Sequence, residues 1–227
     1  MKIYSIKNGF TADHSSTSYE FLAVDKPLGK KEKSAVASLS SRADPTSRRV
    51  SFIYHVDGYD IPGGWENLMI KYYDVMYTES YDWWTIALAF NTSPEQIAEM
   101  EKYDFVGEED SGVGISSSGN RVTVIINCRV NPECLDKDYE DSYENYDEED
   151  EYEDNSDEIM EDEFLSQLVK VRKQLINGDY RVLYALWDML KYDDEEEDDD
   201  FTPPPVPQEK STGKDIVDRF MNCVEEF

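Results

Sequence analysis

The chain alternates between stretches where apolar residues recur at a structural period and stretches where almost none occur. In SYEFLAV, residues 18–24, Tyr19, Phe21 and Ala23 fall on one side and Glu20 on the other. That is the period-two pattern of a half-buried strand, and Pro27 ends it. KKEKSAVASLSSR, 30–42, reads as a helix with Ala35, Val36 and Leu39 inward. VSFIYHV, 50–56, is β-branched and aromatic, the make-up of a strand. Trp65, Leu68, Met69, Tyr72, Tyr73 and Met76 recur at helical spacing, which predicts a helix over 65–77. WWTIALAF, 83–90, is a continuous apolar run of strand length. Ser93-Pro94-Glu95-Gln96 then offers a capping serine, a proline at the first helical position and a glutamine where a capping box places one. A short helix to about Tyr103 follows, and VGISSSGNRVTVIINC, 113–128, predicts a hairpin turning near Ser118-Gly119-Asn120. MKIYSI at the start has strand character too, with a turn at Asn8-Gly9.

Beyond residue 158 the period is helical again. Phe164, Leu168, Val171 and Leu175 form one narrow apolar seam. Asn177-Gly178 stops that helix, and Asp179 is placed to cap a second one with Tyr180, Leu183, Trp187 and Leu190 along one side. Two helices joined by so short a turn predict an αα-hairpin. They are too short to stand alone, so they must pack on the first domain, on a copy of themselves or on a partner. FTPPPVPQ, from 201, is extended and proline-rich. A last amphipathic helix from 213 gathers Ile216, Val217, Phe220, Met221 and Val224 on one stripe that needs a surface to dock on.

These elements predict an α+β fold with a mixed or antiparallel sheet, plus an αα-hairpin after an acidic linker. The expected organisation is an α+β domain over 1–135, an acidic disordered linker over 136–158 and the αα-hairpin over 159–192, packed on the first domain. An acidic and proline-rich linker over 193–212 and a short amphipathic helix over 213–227 complete it.

Charge sharpens this division. The 227 residues carry 51 acids and 22 bases, a net charge of -29. Residues 136–163 hold 17 acids and one base, Lys137, and DDEEEDDD at 193–200 adds eight more acids. Such runs cannot enter a low-dielectric core. They are expected to be solvated and disordered. Direct nucleic-acid binding is disfavoured, because it rests on neutralising phosphates. The one basic island, Lys170, Arg172, Lys173 and Arg181, is flanked by acids on both sides. There is no apolar run near 18 residues and no long apolar stretch in MKIYSIKNGF, so neither a membrane span nor a signal peptide is expected. Three cysteines, Cys128, Cys134 and Cys223, are too few for a disulfide framework. A cytoplasmic location with reduced thiols is the expectation.

Catalytic and metal-binding patterns find little support. Asp13-His14-Ser15 are adjacent, whereas a triad is assembled from separated parts of a fold. The serines that follow lack the glycines of a phosphate cradle. Cys128 and Cys134 have no second ligand pair, and His55 falls within a strand, so a zinc site is not expected. From Asp147 the acids follow a calcium-loop register with Glu158 at its twelfth position. Tyr152 stands where that loop requires glycine, which leaves only loose cation condensation. Gly112-x-Gly114 lacks the third glycine of a dinucleotide fingerprint and precedes a strand. Trp83-Trp84 read as core rather than as a stacking platform for bases. No cofactor and no metal is expected.

Two stretches carry a resemblance. YEFLAVDKPL, from Tyr19, and NGDYRVLYALW, from Asn177, resemble the opening and closing motifs of a family of prokaryotic proteins without an assigned activity. Leu39-Ser40-Ser41-Arg42-Ala43 and Leu68-Met69-Ile70-Lys71-Tyr72-Tyr73-Asp74 look similar to it as well. The resemblance spans about residues 19–190 and implies an architecture, with no mechanism attached. The leader before Tyr19, the acidic insert and the tail after 201 depart from the pattern.

The function expected from these readings is a non-enzymatic, acidic protein–protein interaction module that meets a basic protein surface. Tyr139, Tyr143, Tyr146 and Tyr152 would give the acidic run contact area and cation–π partners for arginine, and Ile216 and Phe220 an apolar docking stripe. One alternative is a nucleic-acid mimic that occupies the basic face of a DNA-binding protein. Another is an enzyme with an unrecognised active site, in a pocket lined by Tyr54, His55, Tyr72 and Trp83.

Overall fold

The computed structural model describes residues 17–54, 61–80, 83–131, 163–192 and 202–225. Its strands are β1 (Thr17–Leu22), β2 (Arg49–Tyr54), β3 (Val75–Ser80), β4 (Trp83–Asn91), β5 (Phe105–Val106), β6 (Gly112–Ser118), β7 (Arg121–Val130) and β8 (Val224–Glu225). Its α-helices are α1 (Lys30–Ala37), α2 (Glu66–Lys71), α3 (Pro94–Met100), α4 (Glu163–Ile176), α5 (Arg181–Leu190) and α6 (Lys214–Met221). The strands form one sheet in the order β2-β1-β3-β4-β7-β6-β5, with β8 also paired to β7. Every pairing is antiparallel. The fold is therefore α+β, with the antiparallel form of the sheet.

Helices cover both faces, which is why β4 reads as unbroken apolar sequence. Ala87 and Ala89 face a core built from Phe21, Phe52, Trp65, Met69 and Tyr73 beneath α1 and α2. Trp84, Ile86, Leu88 and Phe90 face a second core, in which Phe164, Leu168, Val171 and Leu175 of α4 are fully buried. The seam expected in α4 is thus its contact with the sheet. Leu183, Leu186 and Leu190 of α5 and Phe220 of α6 join the same core.

Three expectations need correction. The helix predicted over 65–77 stops at Lys71, and Val75–Ser80 is strand β3, paired with β1 and β4. Ala35 is exposed; Val36 is the residue of α1 that points inward. The first helix after the acidic run packs chiefly on β3, β4 and α6, and the second on β6, the turn at Glu101–Tyr103 and α6. Both helices thus lie against the strands of the sheet and against α6. Cys223 is disulfide-bonded, against the expectation of reduced thiols, whereas Cys128 is a free thiol buried in β7. Burial pushes the Cys128 thiol up to about 12, so it stays protonated and acts as a packing residue.

Among the described residues, no helix is long and apolar enough to cross a membrane. MKIYSI, His14, His55, the acidic runs, the calcium-loop register and the four tyrosines Tyr139, Tyr143, Tyr146 and Tyr152 lie outside the described residues.

Candidate functional site: a basic cleft beside a buried ion-pair hub

The basic island of the sequence divides into two in space. Arg172 turns inward and is almost fully buried. Its Nε donates to the Ala89 carbonyl at 2.8 Å and its Nη2 reaches Asp25 at 2.5 Å and Asp74 at 3.7 Å. Asp74 is the centre of this hub. Its Oδ2 accepts the backbone N–H groups of Val24 and Asp25 at 2.8 and 2.9 Å, and its Oδ1 accepts Arg121 Nη2 at 2.9 Å. Arg121 in turn donates to the carbonyls of Met69 and Tyr73, left exposed where α2 ends. A buried carboxylate with this many donors is satisfied rather than strained. The hub fastens α4 to the strand ends, and its two carboxylates, Asp25 and Asp74, come from two of the segments that carry the resemblance.

Arg181 is also committed. Its Nε and Nη2 grip both oxygens of Asp179 at 2.9 and 2.7 Å, while Nη1 and Nη2 donate to the carbonyls of Lys210 and Thr212. Asp179 orients Arg181 and its Oδ1 also accepts the Arg181 backbone N–H at 3.4 Å, so it serves the start of α5 from the residue before the N-cap, Tyr180. Gly178, at φ 68°, ends α4 in the left-handed conformation with its N–H on the Leu175 carbonyl. Burial pushes the Asp179 carboxyl up, but the hydrogen bonds and charge of Arg181 outweigh it and hold the group below the usual aspartate range. A lowered folded value means that this pair stabilises the protein above the unfolded aspartate pKa, near 4. The contribution is lost as pH falls through the folded value. The wild-type and Asp179→Asn proteins are therefore expected to differ in Tm at pH 7 and to converge as pH falls below about 4, followed by thermal melts across a pH series.

The other two cations of the island face outward. Lys170 and Lys173 are exposed on α4, and Lys210, on the segment before α6, joins them along a cleft of about 930 Å³. Arg219 of α6 completes the basic lining, and Asp215 and Asp218 add acids to the same wall. The cleft exists because two glutamines of α4 hold the opposite wall. Gln167 Nε2 donates to the Ile216 carbonyl at 2.7 Å and Gln174 Nε2 to the Gly213 carbonyl at 2.5 Å. Gly213 stands at φ 74°, a left-handed backbone that strains any side chain, and a Cβ there would displace Gln174 Nε2, 2.5 Å away. Gln174 is buried, and among the described residues its Oε1 has no hydrogen-bond partner.

Sequence reasoning located Lys170 and Lys173 but grouped them with Arg172 and Arg181, which are committed elsewhere. It missed Lys210, Gln174 and Gly213, whose grouping depends on where α6 docks. That docking settles the place of the apolar stripe: Phe220 is fully buried in the chain's own core and Ile216 packs against it. The stripe's surface is therefore this chain's α4 and α5, which leaves Phe220 unavailable to a partner. Of the proposed enzyme pocket, Tyr72 lines a second cleft of about 310 Å³ beside Asp74 and Arg121, and Tyr54 and Trp83 do not.

No protein-family model and no curated protein matches the chain. It is similar to a solved structure, the ligand-free regulatory subunit of aspartate kinase from Thermus thermophilus, at 17% identity. The match covers 50% of this chain and 84% of that one, with a TM-score of 0.23. So shallow an overlap transfers neither a fold nor an activity.

Proposed function

We propose that the chain is a non-enzymatic interaction protein whose acidic stretches engage a basic protein surface. The partition of charge carries this reading. The described residues hold 21 acids and 19 bases, a net of -2, while the rest of the chain holds 30 acids and three bases. A nearly neutral body gives little long-range steering, whereas runs of like charge raise encounter rates with an oppositely charged surface. The buried Asp74, Arg172 and Asp179 and the half-buried Arg121 are engaged in holding elements together, and this supports reading the resemblance motifs as architecture. Tyr139, Tyr143, Tyr146 and Tyr152 supply the aromatic contacts of the acidic run in this reading.

Deleting 138–158 is the test. The shortened chain is expected to keep its circular dichroism spectrum and Tm. It is expected to lose most of its low-salt affinity for an arginine-rich peptide. A loss of folding, or unchanged binding, would contradict the proposal.

A further inference from the structure

Cys223 is disulfide-bonded, and the sequence decides to what. The chain has three cysteines, Cys128, Cys134 and Cys223, and Cys128 is a free thiol. Within a single chain, that leaves Cys134. Cys134 lies outside the described residues, but the backbone before it limits its reach. The Asn131 N–H donates to the Cys223 carbonyl at 2.8 Å, and Val130 pairs with Val224 where β7 meets β8. Cys134 follows Asn131 by three positions, a span of at most about 11 Å of extended chain. A chain that short, starting beside Cys223, can supply the separation of about 5–6 Å between Cα atoms that a disulfide needs. Cys128 is placed differently, inside the sheet opposite Trp84 of β4.

The place of this bond matters because the segment it holds is short. α6 has eight residues and β8 two, and terminal elements of that size fray unless something ties them down. Yet Phe220 and Cys223 are fully buried, and Val217 and Val224 join them in the core shared with α4, α5 and β7. A bond from Cys223 to Cys134 fastens this segment where β7 hands over to the acidic stretch. It also closes a covalent ring, from 134 to 223, that contains the acidic stretch, α4 and α5. Closing so long a ring removes many arrangements of the unfolded chain.

We propose that Cys134 and Cys223 form a redox-sensitive clasp, which when oxidised holds α6 and β8 against the body and when reduced releases them. A small-molecule disulfide such as oxidised glutathione closes it. One cysteine thiolate attacks a glutathione sulfur, forming a mixed disulfide and expelling one glutathione thiolate. The second cysteine thiolate attacks the protein sulfur of that mixed disulfide and expels the other. Two protein thiols are oxidised, and their two protons pass to the two glutathione thiolates. The clasp belongs to the chain's own framework, so it stands or falls apart from the binding proposed for the acidic stretches.

The test is to treat the full chain with oxidised glutathione, block remaining thiols with iodoacetamide in denaturant and digest the monomer-sized band with trypsin without reduction. The three cysteines fall on separate peptides, VTVIINCR, VNPECLDK and FMNCVEEF. Mass spectrometry is expected to find VNPECLDK joined to FMNCVEEF, and VTVIINCR carrying a blocked thiol. Reduction with a phosphine should lower Tm by about 5–15 °C. It should speed amide exchange in 214–225 at least tenfold and in β3 and β4 less than twofold. Cys134→Ser should abolish the response of Tm to the reductant, and Cys128→Ala should keep it. Each comparison is made within one variant, so a general loss of stability does not hide it. A link involving Cys128, three blocked thiols, cysteines left bonded to glutathione, or a Tm indifferent to the reductant overturns the proposal. Exchange that rises equally in 214–225 and in β3 and β4 overturns it too.

Discussion

Asp74→Ala is expected to lower the unfolding free energy by about 3–5 kcal/mol, read from urea denaturation. The side chain is buried and accepts two backbone N–H groups and Arg121, with Arg172 close by. Its removal leaves two guanidinium groups facing each other without the carboxylate between them. It also leaves the N–H groups of Val24 and Asp25 without their acceptor. Breaking a buried pair from one side costs more than the pair contributes, because the surviving charge stays desolvated. Asp74→Asn keeps the shape and one acceptor, and it should cost less than the alanine variant. A change under about 1 kcal/mol for Asp74→Ala would mean that water reaches the hub and screens it.

The second large effect is expected at Phe164→Ala, about 3–5 kcal/mol. Phe164 is fully buried and packs edge-on against Tyr77 and Trp84, with ring centroids 5.4 and 5.2 Å away. It opens the helical unit that follows the acidic run, yet its ring lies in the core of the sheet. The loss should therefore appear as one cooperative transition in far-ultraviolet dichroism and in tryptophan fluorescence alike. Two separate transitions would show that α4 to α6 form a unit of their own.

Much of this architecture can be read along the chain, and the exceptions have physical causes. VSFIY and the Val122–Cys128 arm announce strands because β-branched residues alternate across a pleat. Ser93 announces a helix start, and its side chain does accept the Gln96 N–H. The Gln96 side chain does not fold back as a capping box would; its Nε2 donates instead to the carbonyls of Leu175 and Ile176 at the end of α4. Strand β3 was hidden because Tyr73 and Met76 continue a helical period. Pairing of Leu22 with Val75 and of Val75 with Leu88 overrides it. The basic cleft was half visible for a similar reason. Lys170 and Lys173 are neighbours in sequence, but Lys210 and the uncapped start of α6 reach them only through the glutamines that draw α6 onto α4. Periodicity reports which face is buried, and it does not report which distant segment covers it.

The most direct measurement is the salt dependence of affinity between the intact chain and an arginine-rich peptide. The account predicts clear binding at low ionic strength, steep weakening toward physiological salt as the Debye length shortens to about 8 Å, and loss of that slope when 138–158 is removed. An affinity indifferent to salt, or a slope retained by the shortened chain, would contradict it.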